Sequence, residues 1–103
     1  MSNSVQAAVL FTDIVGYSKM MDRDEKKAVK LLAEHDKIIE AEIVKNGGEV
    51  IKHIGDAIFA RFDSPLAAAT STLEFQKKLQ KRNQISRDED KVVIRAGLHF
   101  GEV

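Results

Sequence analysis

Residues Ala7 to Ser18 read AAVLFTDIVGYS, and the reading of this stretch decides the fold. Five apolar residues, Ala7, Ala8, Val9, Leu10 and Phe11, run into Thr12 and the carboxylate of Asp13. Gly16 then breaks the run, and Tyr17-Ser18 lead into a polar, helix-forming region. A short apolar run bounded by a turn signal predicts a buried central strand. A carboxylate at the exit of such a strand, followed by a glycine and a helix start, is a place to hold a phosphate or its metal ion. It is also a place for a helix cap, which taken alone is the commoner role for Asp13.

Outward from that strand, a short helix is predicted over residues 15–21 and a much longer one after it. Asp22 followed three residues on by Glu25 resembles a capping arrangement. Ala28, Leu31, Leu32, His35, Ile38, Ile39 and Ile43 then recur every three or four residues, which is one face of an amphipathic helix. The helix should end at Asn46-Gly47-Gly48, with Gly47 in the left-handed conformation. His35, on the apolar face, reads as a packed histidine.

Residues 49–54 (EVIKHI) alternate as a strand, Gly55-Asp56 is a tight turn, and residues 57–62 (AIFARF) return as the second arm of a hairpin. Ser64 as cap and Pro65 at the first helical position open another helix, with Leu66, Ala69, Leu73, Gln76 and Leu79 at helical spacing. Residues 91–100 (KVVIRAGLHF) predict the last strand, with Val92, Ile94, Ala96, Leu98 and Phe100 on one face and Arg95, Gly97 and His99 on the other. The order strand, helix, strand, strand, helix, strand is the split βαβ pattern of an α+β, ferredoxin-like sandwich. Right-handed crossovers predict a four-stranded antiparallel sheet of order 4-1-3-2 with the helices on one face.

At 103 residues the chain is expected to be one domain. Its 16 Lys and Arg balance 16 Asp and Glu, so no net field favours nucleic acid or an anionic membrane. With no cysteine, disulfides and thiolate metal sites are excluded, which is consistent with a cytoplasmic location. The apolar run is too short to span a bilayer, so no membrane segment is expected. His53 and His99 lie on different strands, away from His35, and do not read as a zinc site.

The predicted topology brings two distant carboxylates together. The first strand runs antiparallel to the third, so Asp13 at the exit of one should lie beside Asp56 at the entry of the other, across a spacing of about 5 Å. Two carboxylates so close repel, and either one takes up a proton or both share a cation. Mg²⁺ or Mn²⁺ suits such a site, since each uses few protein carboxylates and keeps positions for water and phosphate. The backbone amides near Val15, Gly16 and Tyr17, with the Ser18 hydroxyl, would face a polyphosphate. The alternative, a plain strand–helix junction with Asp56 as a turn residue, fits the pair about as well.

Three motifs carry a family resemblance. Residues 11–18 (FTDIVGYS) look like the first metal motif of class III nucleotidyl cyclases. Residues 51–57 (IKHIGDA) resemble their K-x-x-G-D hairpin, and residues 95–103 (RAGLHFGEV) their R-x-G-x-H-x-G-E/P-V strand. The resemblance implies that Asp13 and Asp56 hold two divalent ions, Mg²⁺ or Mn²⁺, with the Ile14 carbonyl as a further ligand. It implies that Gly16, Tyr17 and Ser18 cradle the triphosphate. Lys52 takes the purine-recognising position, where Lys points to ATP. The implied reaction is attack of the ribose 3′-hydroxyl on the α-phosphorus, giving 3′,5′-cyclic AMP and pyrophosphate in intracellular signalling. The implied site lies between two head-to-tail domains, in a homodimer or a heterodimer with another cyclase domain, the purine Lys coming from the partner. Relatives continue beyond the position of Val103 with the residues that steady the transition state. The chain is therefore expected to be an incomplete catalytic domain that does not turn ATP over usefully alone. The alternative is a non-catalytic metal–nucleotide-binding or regulatory module that pairs with a full-length cyclase.

Overall fold

A computed structural model describes residues 6–102. Strand β1 (Gln6–Ile14) leads to helix α1 (Tyr17–Arg23), helix α2 (Glu25–Lys45), strands β2 (Glu49–Ile54) and β3 (Ala57–Phe62), helix α3 (Pro65–Gln84), a 3₁₀ turn (Asp88–Asp90) and strand β4 (Ile94–Glu102). The sheet order is β2-β3-β1-β4, with every pair antiparallel. This is the predicted ferredoxin-like order read from the other edge. β1 is central because Ala8, Leu10 and Ile14 on one of its faces meet Ile58, Ala60 and Phe62 of β3 and Ile39 and Ile43 of α2 in a single buried core.

Several boundaries move for physical reasons. Helix α1 starts at Tyr17 rather than Val15, because the Val15 amide still donates across the sheet to the Val93 carbonyl at 2.8 Å. Gly16 then turns the chain with a φ of 74°, a left-handed conformation that favours glycine. The cap of α2 is Asp24, not Asp22: its carboxylate accepts from the Lys27 amide at 3.1 Å. Strand β4 begins three residues later than predicted because Asn83 claims the backbone of Val92. Its side-chain amide donates to the Val92 carbonyl at 2.8 Å, and its oxygen accepts from the Val92 amide at 2.9 Å.

Two side-chain patterns also differ. On α3 the buried face is Ala68, Ser71, Phe75 and Leu79, while Leu66 and Leu73 are 75% and 61% exposed. Small residues at Ala68 and Ser71 let the helix lie close to the sheet, and Phe75 fills the space, so the leucines end on the far side. In β2 the alternation is interrupted by a bulge. Val50 pairs with Ala60 and Lys52 with Phe59, leaving Ile51 as the extra residue. Lys52 and Ile54 consequently share the open face of the sheet with Phe59, whereas His53 turns to the helix side and meets Glu40 of α2, 2.6 Å from Nε2.

His35 is fully buried, with Nδ1 2.9 Å from Asp36 Oδ1, as its place on the apolar face predicts. Among the described residues no helix is long and apolar enough to cross a membrane.

A carboxylate groove at the end of the central strand

The exit of β1 and the β2–β3 turn meet as the topology predicts. The two-residue turn at Gly55-Asp56 is tight because Gly55 takes a φ of 57°. It directs the Asp56 side chain back onto β1, where Oδ2 accepts from the Ile14 amide at 2.7 Å. That hydrogen bond fixes Asp56 beside the Asp13–Ile14 peptide. Asp56 Oδ2 is committed to the backbone, and among the described residues no hydrogen bond engages its other oxygen.

Asp13 has a partner that sequence reasoning missed. In the β1–β4 register Asp13 stands opposite Arg95. The Arg95 Nε lies 3.0 Å from Oδ1, and a terminal guanidinium nitrogen 3.2 Å from Oδ2. The pair is bidentate, and the Arg95 side chain is 72% exposed against 25% for Asp13. Its signal was present in the alternation of β4, which sets Arg95 on the same face as Gly97 and His99. Only the long-range register says what that face meets.

Asp13, Ile14, Gly16, Tyr17, Ser18, Asp56 and Arg95 line one open groove. The first turn of α1 carries no side-chain cap where it borders this groove. Burial, and next the negative charge of Asp56, hold the Tyr17 phenol above its ordinary pKa, so it remains a protonated donor. Lys52 is not brought to this groove; its Nζ lies 5.4 Å from the centroid of the Phe59 ring on the open sheet face. Among the described residues no three His, Cys, Asp or Glu side chains cluster as a metal site.

The donors that do converge fit a hard divalent cation. They are oxygen atoms: the free oxygen of Asp56 and the Asp13 carboxylate, from which an exposed guanidinium can swing away. Two carboxylates are too few for a cage made of protein alone, and Mg²⁺ or Mn²⁺ characteristically completes its octahedron with water and phosphate. Asp13 is already neutralised by Arg95, so unrelieved repulsion between the carboxylates is not a feature of this structure.

The adenylate and guanylate cyclase catalytic domain family matches residues 1–103. A protein of Rhizobium meliloti (strain 1021), provisionally named adenylate cyclase 3, is 32% identical over 98 residues, which is 94% of this chain and 17% of that one. The adenylate/guanylate cyclase/hydrolase from Silicibacter pomeroyi is 30% identical and superposes with a TM-score of 0.87, covering 97% of this chain and 59% of its own. A bacterial light-regulated adenylyl cyclase superposes with a TM-score of 0.90 at 24% identity, over 98% of this chain and 56% of its own. That last likeness is one of fold. The chain spans a small part of the curated relative and somewhat over half of these two solved neighbours.

Proposed function

The chain belongs to the adenylate and guanylate cyclase catalytic domain family, and we propose that it supplies the metal- and triphosphate-binding half of a site converting ATP to 3′,5′-cyclic AMP and pyrophosphate. The observation that carries this reading is the hydrogen bond that folds Asp56 onto Ile14, at the head of a groove shared by Asp13 and Arg95.

In the proposed site Asp13, the free oxygen of Asp56 and the Ile14 carbonyl would hold two divalent ions, and Gly16, Tyr17 and Ser18 would border the triphosphate. When bound, the ions make the ribose 3′-hydroxyl easier to deprotonate and neutralise charge on the phosphates. Arg95 has a double use. Without ligand it balances Asp13; with Asp13 on a cation, the guanidinium would be free to donate to a phosphate in the groove it lines. The 3′-oxygen would then bond to the α-phosphorus as the α–β phosphoanhydride bond breaks, its proton passing to solvent water and pyrophosphate leaving with the bonding electron pair. Lys52 lies outside this groove and is assigned to the purine bound at a partner's site, in a head-to-tail homodimer or a heterodimer with another cyclase domain. A lysine there would donate to N1 of adenine, a position that is an N–H donor in guanine.

The test has two parts. In this chain Mn²⁺ should selectively broaden NMR signals of residues 12–17 and 54–57, and the Asp13→Asn, Asp56→Asn double variant should abolish that. In the chain continued by the remaining part of a relative's domain, ATP with Mn²⁺ should yield cyclic AMP, with the double variant as the blank. Broadening spread over all surface carboxylates, or no product above the blank, would overturn the reading.

A further inference from the structure

The open face of the sheet carries a cation held over an aromatic ring. Lys52 and Phe59 are direct cross-strand partners in the β2–β3 ladder. The Lys52 Nζ lies 5.4 Å from the Phe59 centroid, within the range at which a ring quadrupole attracts an ammonium. Phe59 is itself braced by Phe11 of β1, with ring centroids 5.1 Å apart and planes inclined at 55°.

This juxtaposition depends on the bulge at Ile51. Strict alternation from Val50, which pairs with Ala60 on the helix side, would send Ile51 to the open face and Lys52 to the helix side. The extra residue reverses that phase and sets Lys52 on the same face as Phe59. Lysine has four rotatable bonds and loses much freedom when it must hold one position. A ring fixed on a central ladder removes part of that freedom before any ligand arrives, which lowers the cost of binding.

We propose that Phe59, braced by Phe11 and brought into register by the Ile51 bulge, is a positioning residue that holds Lys52 for purine recognition. The inference rests on reading Lys52 as the purine contact. Phe59 does not touch the nucleotide in this scheme; it acts through the lysine. The strength of an exposed cation–π contact sets the size of the effect, about two- to five-fold in the ATP-over-GTP preference.

The experiment uses the 103-residue chain, with ATP and GTP in the presence of Mg²⁺ as probes and Lys52→Glu as the control. The Lys52 Hε resonances should lie upfield through the ring current of Phe59, return to ordinary values in Phe59→Leu, and stay upfield in Phe59→Tyr. The ratio of ATP to GTP affinity should fall about two- to five-fold in Phe59→Leu and recover in Phe59→Tyr, in step with the ring-current shift, which a purely space-filling role does not produce. Lys52 resonances indifferent to Phe59→Leu would overturn the inference without any nucleotide. A lost ring-current shift with an unchanged ATP/GTP ratio, while Lys52→Glu alters that ratio, would overturn it and leave the reading of Lys52 standing. A ratio unmoved by Lys52→Glu as well would remove the purine role, and the inference with it.

Discussion

Replacing Arg95 by glutamine should strengthen the hold of the groove on a bare divalent cation and weaken its hold on the same cation carrying a nucleotide. In the wild-type chain both oxygens of Asp13 are engaged, at 3.0 and 3.2 Å. A cation that takes Asp13 must first displace the guanidinium. With Arg95 72% exposed, the pair is largely solvent-screened, and it contributes about 0.5–1 kcal/mol. Its removal should therefore raise Mn²⁺ affinity roughly two- to five-fold. With a triphosphate present the sign reverses, because a hydrogen bond from a charged donor contributes about 1.5–3 kcal/mol. Net of the lost pair, the Mn²⁺–ATP complex should bind more weakly by about 1–2 kcal/mol, roughly five- to thirty-fold. Free Mn²⁺ can be counted by its EPR signal during titration of the chain, with and without a non-hydrolysable ATP analogue. Two affinities that move in the same direction would refute the double use of Arg95.

Three other outcomes follow from single contacts. Asp56→Asn keeps an oxygen for the Ile14 amide and should stay within about 0.5 kcal/mol of the wild type without metal, whereas Asp56→Ala strands that amide and should lose about 1 kcal/mol; equal urea midpoints for the two variants would contradict the hydrogen bond seen at 2.7 Å. Gly48→Ala would bring a Cβ within 2.5 Å of the buried Phe62 ring, so overpacking should cost about 2 kcal/mol and lower Tm by about 10 °C; an unchanged Tm would mean that Phe62 moves freely. Burial, only partly offset by Asp36 and Asp56, holds the His35 pKa below 6.5. The unfolded chain therefore binds the proton more readily, and stability present above about pH 6.5 should be lost as pH falls towards the folded pKa, by up to about 1.4 kcal/mol per pH unit. Urea unfolding of His35→Leu should lack that slope, and a slope equal to that of the wild type would assign it to other groups.

What the sequence disclosed followed the range of the interactions involved. The β2–β3 hairpin and the start of α3 were legible because turn chemistry at Gly55-Asp56 and Ser64-Pro65 is local, and both matched residue for residue. The meeting of Asp13 with the Asp56 turn followed from topology alone. The bulge at Ile51 was hidden, since EVIKHI alternates plausibly until its pairing with β3 is known. On α3, leucine spacing suggested a face that Ala68 and Ser71 in fact provide, because closeness of approach outweighs hydrophobicity where a helix lies flat on a sheet. Arg95 opens the RAGLHFGEV motif, yet its meeting with Asp13 depends on the β1–β4 register.

The central strand has a consequence for how the molecule must assemble. β1 is the first of the described elements, but its neighbours are β3 and β4, and the Asp13–Arg95 pair joins positions 82 residues apart. Contacts of such separation are formed only after a large loss of chain entropy. α2, the β2–β3 hairpin and α3 can make their short-range contacts while β1 still lacks both flanks. The groove draws on β1, on β4 and on the hairpin between them in sequence, so no partly folded species that leaves β1 unpaired can contain it. The proposed cation binding would thus belong to the cooperative native state as a whole, and a chain caught midway through folding or proteolysis would have no fraction of the groove to offer.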